Sequence, residues 1–302
     1  MGSNTVHLVA VDARLGGRPT PMSDWKTSLK LVEQLDKDGN IHPKGVKKLV
    51  SAVGEAKELA DKLDCNELIA FATSAVRSAP NSEKVIGEVE KQTGVRLQVL
   101  SGEEEARLTF HAVRRWYGWS AGRITNLDIG GGSLELSTGT DEAPDLAFSL
   151  DLGAGRLTHN WFDTDPPGKK KVNMLRDYID AELADATAQL RDRGPAGLAV
   201  GTSKTFRTLA RLTGAAPSSE GPFVKRSLTA PGLRQLIAFI SRMTAADRAD
   251  LEGVSSDRSH QIVAGALVAE ASMRALGLEH LEICPWALRE GVILSRIDKG
   301  LG

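Results

Sequence analysis

Strands interleaved with helices along the chain predict an α/β protein built from two related halves that face each other across a cleft. Three observations carry that expectation. Apolar β-rich runs alternate with amphipathic helical stretches. The length of 302 residues exceeds what one ordinary core holds and suits two domains. A short internal echo also sets Gly2-Ser3-Asn4-Thr5-Val6-His7-Leu8 beside Gly130-Gly131-Gly132-Ser133-Leu134-Glu135-Leu136, each a glycine-led turn feeding a strand.

Taken in order, residues 5–13 alternate and read as a strand. A loop bearing Gly16, Gly17, Pro19 and Pro21 follows, and Asp38-Gly39-Asn40 marks a turn. Val46, Leu49, Val50, Val53, Ala56, Ala60 and Leu63 recur at helical spacing. Strands at 67–73 and 95–100 flank a helix over 82–93. Residues 103–117 read as a helix whose acidic first turn suits the helix dipole. Gly118 to Gly122 is the expected boundary, giving domains 1–120 and 121–302. Beyond it come strands at 124–129, 134–138 and 146–152, then a loop with Lys169, Lys170 and Lys171 ahead of a helix over 172–193. A strand at 197–200 leads through Gly201-Thr202-Ser203 into a helix ending at Leu212. Helices over 230–243, 257–276 and 287–298, with a strand at 281–284, complete the chain.

The formal net charge is -1, so a generic nucleic-acid binder, normally basic, is not expected. No apolar run reaches membrane-spanning length. The start lacks a signal-peptide pattern, which makes a cytoplasmic location the default. Cys65 and Cys284 lack metal or disulfide spacing and read as buried thiols of a reducing compartment. The six histidines show no metal spacing.

The strongest chemical signal is Asp128-Ile129-Gly130-Gly131-Gly132-Ser133. A strand delivers Asp128 to its end, and the glycines let backbone N–H groups converge on phosphate oxygens. Asp128 suits Mg²⁺, which takes oxygen ligands and keeps several waters. A plain hairpin turn is the competing account, but a two-residue hairpin needs no third glycine. Glu135 alternates with Leu134 and Leu136 and either faces the cleft or is an ordinary strand glutamate. In Ser101-Gly102-Glu103-Glu104-Glu105, Ser101 and Glu104 fit a capping box. Glu105 is left as a general base for water or as part of a solvated acidic turn. Gly201-Thr202-Ser203 at a strand-to-helix junction is an anion site or a capped helix start. Arg77 after its strand has the fork for phosphate oxygens.

Together these segments resemble the exopolyphosphatase / guanosine pentaphosphate phosphohydrolase family. The resemblance runs through GSNTVHL, ATSAVRSAPN, LSGEEEARLTF, NLDIGGGSLEL, SLDLGAGRLT, GTSKT and ALREG, in order, over nearly the whole chain. It implies two ribonuclease-H-like domains of the actin/Hsp70/sugar-kinase superfamily with a cleft between them, Mg²⁺ dependence, and a homodimer. It implies that Glu105 is the catalytic glutamate, with Asp128 and Glu135 at the metal. Phosphate contacts fall to Gly2, Ser3, Asn4, Thr5, Arg77, Gly130, Gly131, Gly132, Ser133, Gly201, Thr202 and Ser203. The implied reaction is removal of terminal phosphate from inorganic polyphosphate. The alternatives are pppGpp 5′-phosphohydrolase, a kinase or ATPase of the superfamily, and an inactive polyphosphate- or nucleotide-binding regulator.

Three departures qualify the resemblance. Family members carry an aspartate two residues before the first loop glycine. Here that place falls before Met1, so the expectation is a chain that begins late, with a weakened first sheet and one metal carboxylate fewer. Arg258-Ser259-His260 replaces an arginine followed two residues later by aspartate. The extra C-terminal helical domain of longer members is missing, which implies a shift toward shorter polyphosphate.

Overall fold

The computed structural model describes residue 2 and residues 5–14 and 16–300. Ser3 and Asn4, expected in the first phosphate loop, lie outside the described residues. Contacts divide the chain into Met1–Gly102 with Ile293–Gly302, and Glu103–Val292. The division therefore falls ahead of the helix over 103–117 rather than at 118–122. Phe110 and Val113 of that helix share a core with Ile124 and Val200.

In the first unit, β1 (Thr5–Asp12) pairs antiparallel with β2 (Thr20–Ser28), with Thr5 opposite Ser28. The expected loop over 16–21 is thus a hairpin end followed by a strand. Its polar alternation, with Ser23, Trp25 and Thr27 turned inward, was hidden by Pro21 and by the lack of an apolar run. Helix α1 (Pro43–Lys62) opens with proline at its first position, and His42 Nδ1 accepts from the Lys44 N–H at 3.2 Å. It buries Leu49, Ala52, Val53, Ala56 and Ala60, the stripe its spacing predicts. The strands β3 (Phe71–Ala72) and β4 (Gln98–Val99) form a short parallel pair, with α2 (Ser74–Arg77) and α3 (Ser82–Thr93) between them in the chain. Among the described residues this unit holds two separate two-stranded sheets. Its core is Val6, Leu29, Leu31, Leu49, Val53, Val76, Val85, Val89 and their neighbours.

The second unit is built on a six-stranded sheet. Its elements run α4 (Gly102–Tyr117), β5 (Ile124–Ile129), β6 (Leu134–Gly139), β7 (Leu146–Leu150), α5 (Ala154–Trp161) and α6 (Lys169–Asp192). They continue with β8 (Leu198–Thr202), α7 (Ser203–Leu212), β9 (Ser227–Thr229), α8 (Ala230–Ile240) and α9 (Ala245–Ala249). Last come α10 (Ile262–Ala275), β10 (His280–Ile283) and the start of α11 (Leu288–Asp298), whose residues from Ile293 on belong to the first unit. The order across the sheet is β7-β6-β5-β8-β10-β9. The first three strands form an antiparallel meander, while β8 lies parallel to β5 and β10 parallel to β8. This is the ribonuclease-H-like layer the resemblance implies.

Alternation assigns the two faces. Leu127, Ile129, Leu134 and Leu136 join the main core with α5, α6, α7, α8 and α10. Helix α10 is apolar nearly all round and buried, so it lies within that core rather than on it. Ile124 and Val200 turn to the other face, under α4. By the same alternation Asn126 and Asp128, and across from them Ser137 and Glu135, belong to the α4 side. Two smaller expectations change. Lys169, Lys170 and Lys171 form the first turn of α6 instead of a preceding loop, with Lys171 paired to Asp163 at 2.7 Å. Cys284 is buried, but Cys65 is exposed.

Candidate active site

The parallel strands β5 and β8 end together, and ligands of open α/β sheets sit at such carboxyl ends. Asp128 is in register with Glu135 on β6 and with Thr202 on β8. The Thr202 hydroxyl donates to Asp128 Oδ2 at 2.6 Å, which fixes the carboxylate. Glu135, only 2% exposed, lies opposite Ser149 on β7, whose hydroxyl donates to Glu135 Oε1 at 2.9 Å. Thr205 of α7 donates to the Ile129 carbonyl at 2.9 Å, tying the helix to the end of β5. The bonds to Asp128 and Glu135 follow from strand register, which no local sequence window reveals.

The turn between β5 and β6 is built by backbone bonding. The Gly130 N–H donates to the Ser133 carbonyl at 2.9 Å and closes the turn. The carbonyls of Gly130 and Gly131 accept from the N–H groups of Ala154 and Arg156 at 3.0 and 2.9 Å. Arg156 Nε donates to the Gly132 carbonyl at 2.9 Å. The start of α5 therefore takes up the carbonyls of all three glycines. The N–H groups of Gly131, Gly132 and Ser133 find no protein acceptor among the described residues. Gly130 and Gly131 keep contact with solvent, whereas Gly132 and Ser133 are buried. Gly153 makes the approach possible, because a Cβ there would stand 2.2 Å from the Gly132 carbonyl carbon.

Electrostatics gather the three acidic candidates. Burial pushes the Asp128 carboxyl up, against the Thr202 hydrogen bond and the nearby Arg207 guanidinium. Glu135 is pushed well above the usual carboxylate range, first by burial and then by the charges of Glu105 and Asp128. The hydroxyls of Ser133 and Ser149 oppose that rise. Glu105, in the first turn of α4, is thus close enough to Glu135 to repel it. Glu135 thus carries the repulsion of both Glu105 and Asp128, and the donors of all three groups are hard oxygens. That donor set fits a hydrated Mg²⁺.

Ser203 opens α7 at φ 73, an uncommon conformation for a residue with a Cβ. Gly201 lies inside β8, where its carbonyl accepts the Cys284 N–H at 3.0 Å and a Cβ would meet the Phe206 ring at 2.9 Å. Its observed contacts are packing contacts. Gly2, Thr5 and Arg77 belong to the first unit. The Gly2 N–H donates to the Thr5 carbonyl at 3.1 Å, Thr5 starts β1, and Arg77 Nη1 donates to the Leu100 carbonyl at 2.8 Å. Ser149 and Gly153 join the site through register and close packing, and Arg207 through its effect on Asp128, none of which a local sequence pattern marks.

The family model described as Ppx/GppA phosphatase family matches residues 9–300. Exopolyphosphatase 1 of Mycobacterium tuberculosis (strain H37Rv) is 66% identical over 298 residues, covering 99% of this chain and 87% of its own length. Exopolyphosphatase 1 of Mycobacterium leprae is 64% identical over 298 residues, covering 99% of this chain and 88% of its own. Among solved structures, an exopolyphosphatase from Cytophaga hutchinsonii superposes with a TM-score of 0.89 at 23% identity, covering 99% of this chain and 96% of that one. A Ppx/GppA family member from Aquifex aeolicus superposes at 0.81 with 22% identity, covering 100% and 97%. At those identities the structural likeness speaks for the fold.

Proposed function

The chain belongs to the Ppx/GppA phosphatase family, and from that premise we propose that it is an exopolyphosphatase, hydrolysing the terminal phosphoanhydride of inorganic polyphosphate. The observation that carries this reading is the register that sets Asp128 beside Glu135 and Thr202 next to the glycine turn, with Glu105 near enough to raise Glu135. Phosphoryl transfer asks a protein mainly for positioning and charge stabilisation. Asp128 and Glu135 would hold Mg²⁺, with Thr202 and Ser149 keeping their carboxylates oriented. Bound there, the ion would neutralise charge on the phosphoryl oxygens. The N–H groups of the glycine turn supply donors for the same oxygens. Glu105 orients a water molecule and accepts its proton as the water oxygen bonds to the terminal phosphorus. The bridging P–O bond breaks, and the shortened chain leaves with that oxygen.

The expected consequence is that Glu105→Gln lowers kcat by on the order of 10²–10⁴-fold while the protein stays folded. Near-wild-type phosphate release from polyphosphate by that variant would remove Glu105 from the mechanism. Assaying pppGpp alongside, with and without Mg²⁺, separates the two substrates the family name pairs. Arg77, with Gly2 and Thr5, remains a proposed phosphate contact, to be read from KM in Arg77→Gln.

A further inference from the structure

Arg207 carries an unspent charge next to this site. Helix α7 starts at Ser203, so Arg207 stands one turn on, along the same side of the helix. Helical side chains lean back toward the N-terminus, which directs this one toward the end of β8 where Thr202 holds Asp128. Phe206, Leu209 and Ala210 take the buried face of α7 instead. Among the described residues, the partly buried Arg207 guanidinium donates no hydrogen bond and forms no ion pair.

Its neighbours make that costly. Arg289 repels it, and Arg207 in turn repels Arg258. The carboxylates nearby have other partners. Glu290 accepts from Arg289 at 3.3 Å and from the Ala287 N–H at 2.8 Å, and Asp257 acts on Arg258. Asp128, which attracts Arg207, already accepts the Thr202 hydroxyl. A guanidinium has five N–H donors in a planar fork, and a partly buried one without protein acceptors is open to an anion. The usual resolution of such a group is an anion, and the fork matches phosphate bidentately.

We propose that Arg207 is a phosphate-contacting residue that takes the phosphoryl unit next to the one held at the glycine turn, so that the site reads two consecutive phosphates. This rests on the exopolyphosphatase reading and extends it to specificity. A phosphoanhydride presents a second phosphoryl group to Arg207, and orthophosphate does not.

The test uses the full chain carrying Glu105→Gln, so that turnover is slow, with and without Arg207→Gln. Binding of pyrophosphate and of orthophosphate is measured by calorimetry at saturating Mg²⁺. The expected result is that Arg207→Gln weakens pyrophosphate about 10- to 100-fold and orthophosphate by less than about 2-fold. Arg207→Lys, which keeps the charge but loses the fork, should recover only part of the loss. With Glu105 intact, Arg207→Gln should raise KM for tripolyphosphate more than it lowers kcat. Equal weakening of both anions would overturn the proposal, since Arg207 would then act as a general field. So would a loss that vanishes once each variant's own Mg²⁺ affinity is matched, which would place its effect on Asp128. The wild-type phosphate-release assay is separate. If wild type releases no phosphate from polyphosphate, the functional reading fails, whatever Arg207 binds.

Discussion

Thr202 shows how one hydroxyl decides what a carboxylate can do. Among the described residues Asp128 has a single side-chain donor, the Thr202 hydroxyl at 2.6 Å. Replacing it by valine keeps the shape and removes the bond. Outer-shell hydrogen bonds of this kind are typically worth 10–100-fold in metal affinity. Thr202→Val should therefore weaken Mg²⁺ binding by at least about 10-fold in calorimetry, with little change in secondary structure. An unchanged affinity would mean that Asp128 is not a ligand. One row further along the same face, the opposite pressure operates. Asn126 and Ser137 are in register, fully buried, and their side-chain polar atoms have no partner among the described residues. Replacing both partners of such a buried polar pair by apolar groups tends to be neutral or stabilising. Asn126→Leu with Ser137→Ala is expected to raise stability by about 1–2 kcal/mol in urea unfolding. A loss instead would show that the pair is satisfied by water bound between them.

At the scale of elements, the site depends on the close approach between the β5–β6 turn and the start of α5. Gly153 has an ordinary negative φ of -71, so conformational freedom is not what requires glycine there. The requirement is space, because an added Cβ would lie 2.2 Å from one backbone atom and 2.3 Å from another. Gly153→Ala must push the turn away from Ala154 and Arg156, and it should cost several-fold in kcat together with stability. Gly54, inside α1 with its nearest such contact at 3.9 Å, is the control. Gly54→Ala should stabilise by about 0.5–1 kcal/mol, because glycine in a helix interior is that much worse than alanine.

The same scale shows what was legible in the sequence. Residues spaced at three and four revealed α1, and the apolar run revealed β5, because periodicity is local. Asp128, Glu105 and the glycine turn were legible because unusual residue types cluster there. The β2 strand was not, since a polar edge strand with prolines has no apolar signature. Helix α5 was not, since its start is fixed by bonds to a turn about 24 residues earlier. Ser149 and Arg207 were not, since their meaning comes from register with β6 and from the direction of α7.

For the molecule as a whole, clustered carboxylates couple stability to pH and to divalent metal. At low pH Asp128 and Glu135 are protonated in both the folded and the unfolded chain, and their burial carries no electrostatic penalty. As pH rises past the ordinary carboxylate value of about 4, the unfolded chain releases protons that the folded chain retains. Stability therefore falls with pH until the raised folded values of both groups are passed. Exposed acids such as Asp24, Asp36 and Asp247 have lowered values and act with the opposite sign. Their stabilisation is lost as pH drops through those values, so their window lies below the ordinary carboxylate range. Above it, the buried pair sets the slope. Mg²⁺ binding only the folded state would offset the penalty, by about 2.7 kcal/mol at 100 times Kd. The metal-free protein should thus melt at a lower temperature at pH 8 than at pH 5, and Mg²⁺ should narrow that difference. Glu135→Gln removes one of the repelling charges. It should melt higher than wild type at pH 8 without metal, show a shallower pH dependence, and respond weakly to Mg²⁺. A wild-type melting temperature indifferent to Mg²⁺ and matched by Glu135→Gln across that range would show that these carboxylates neither repel one another nor share an ion.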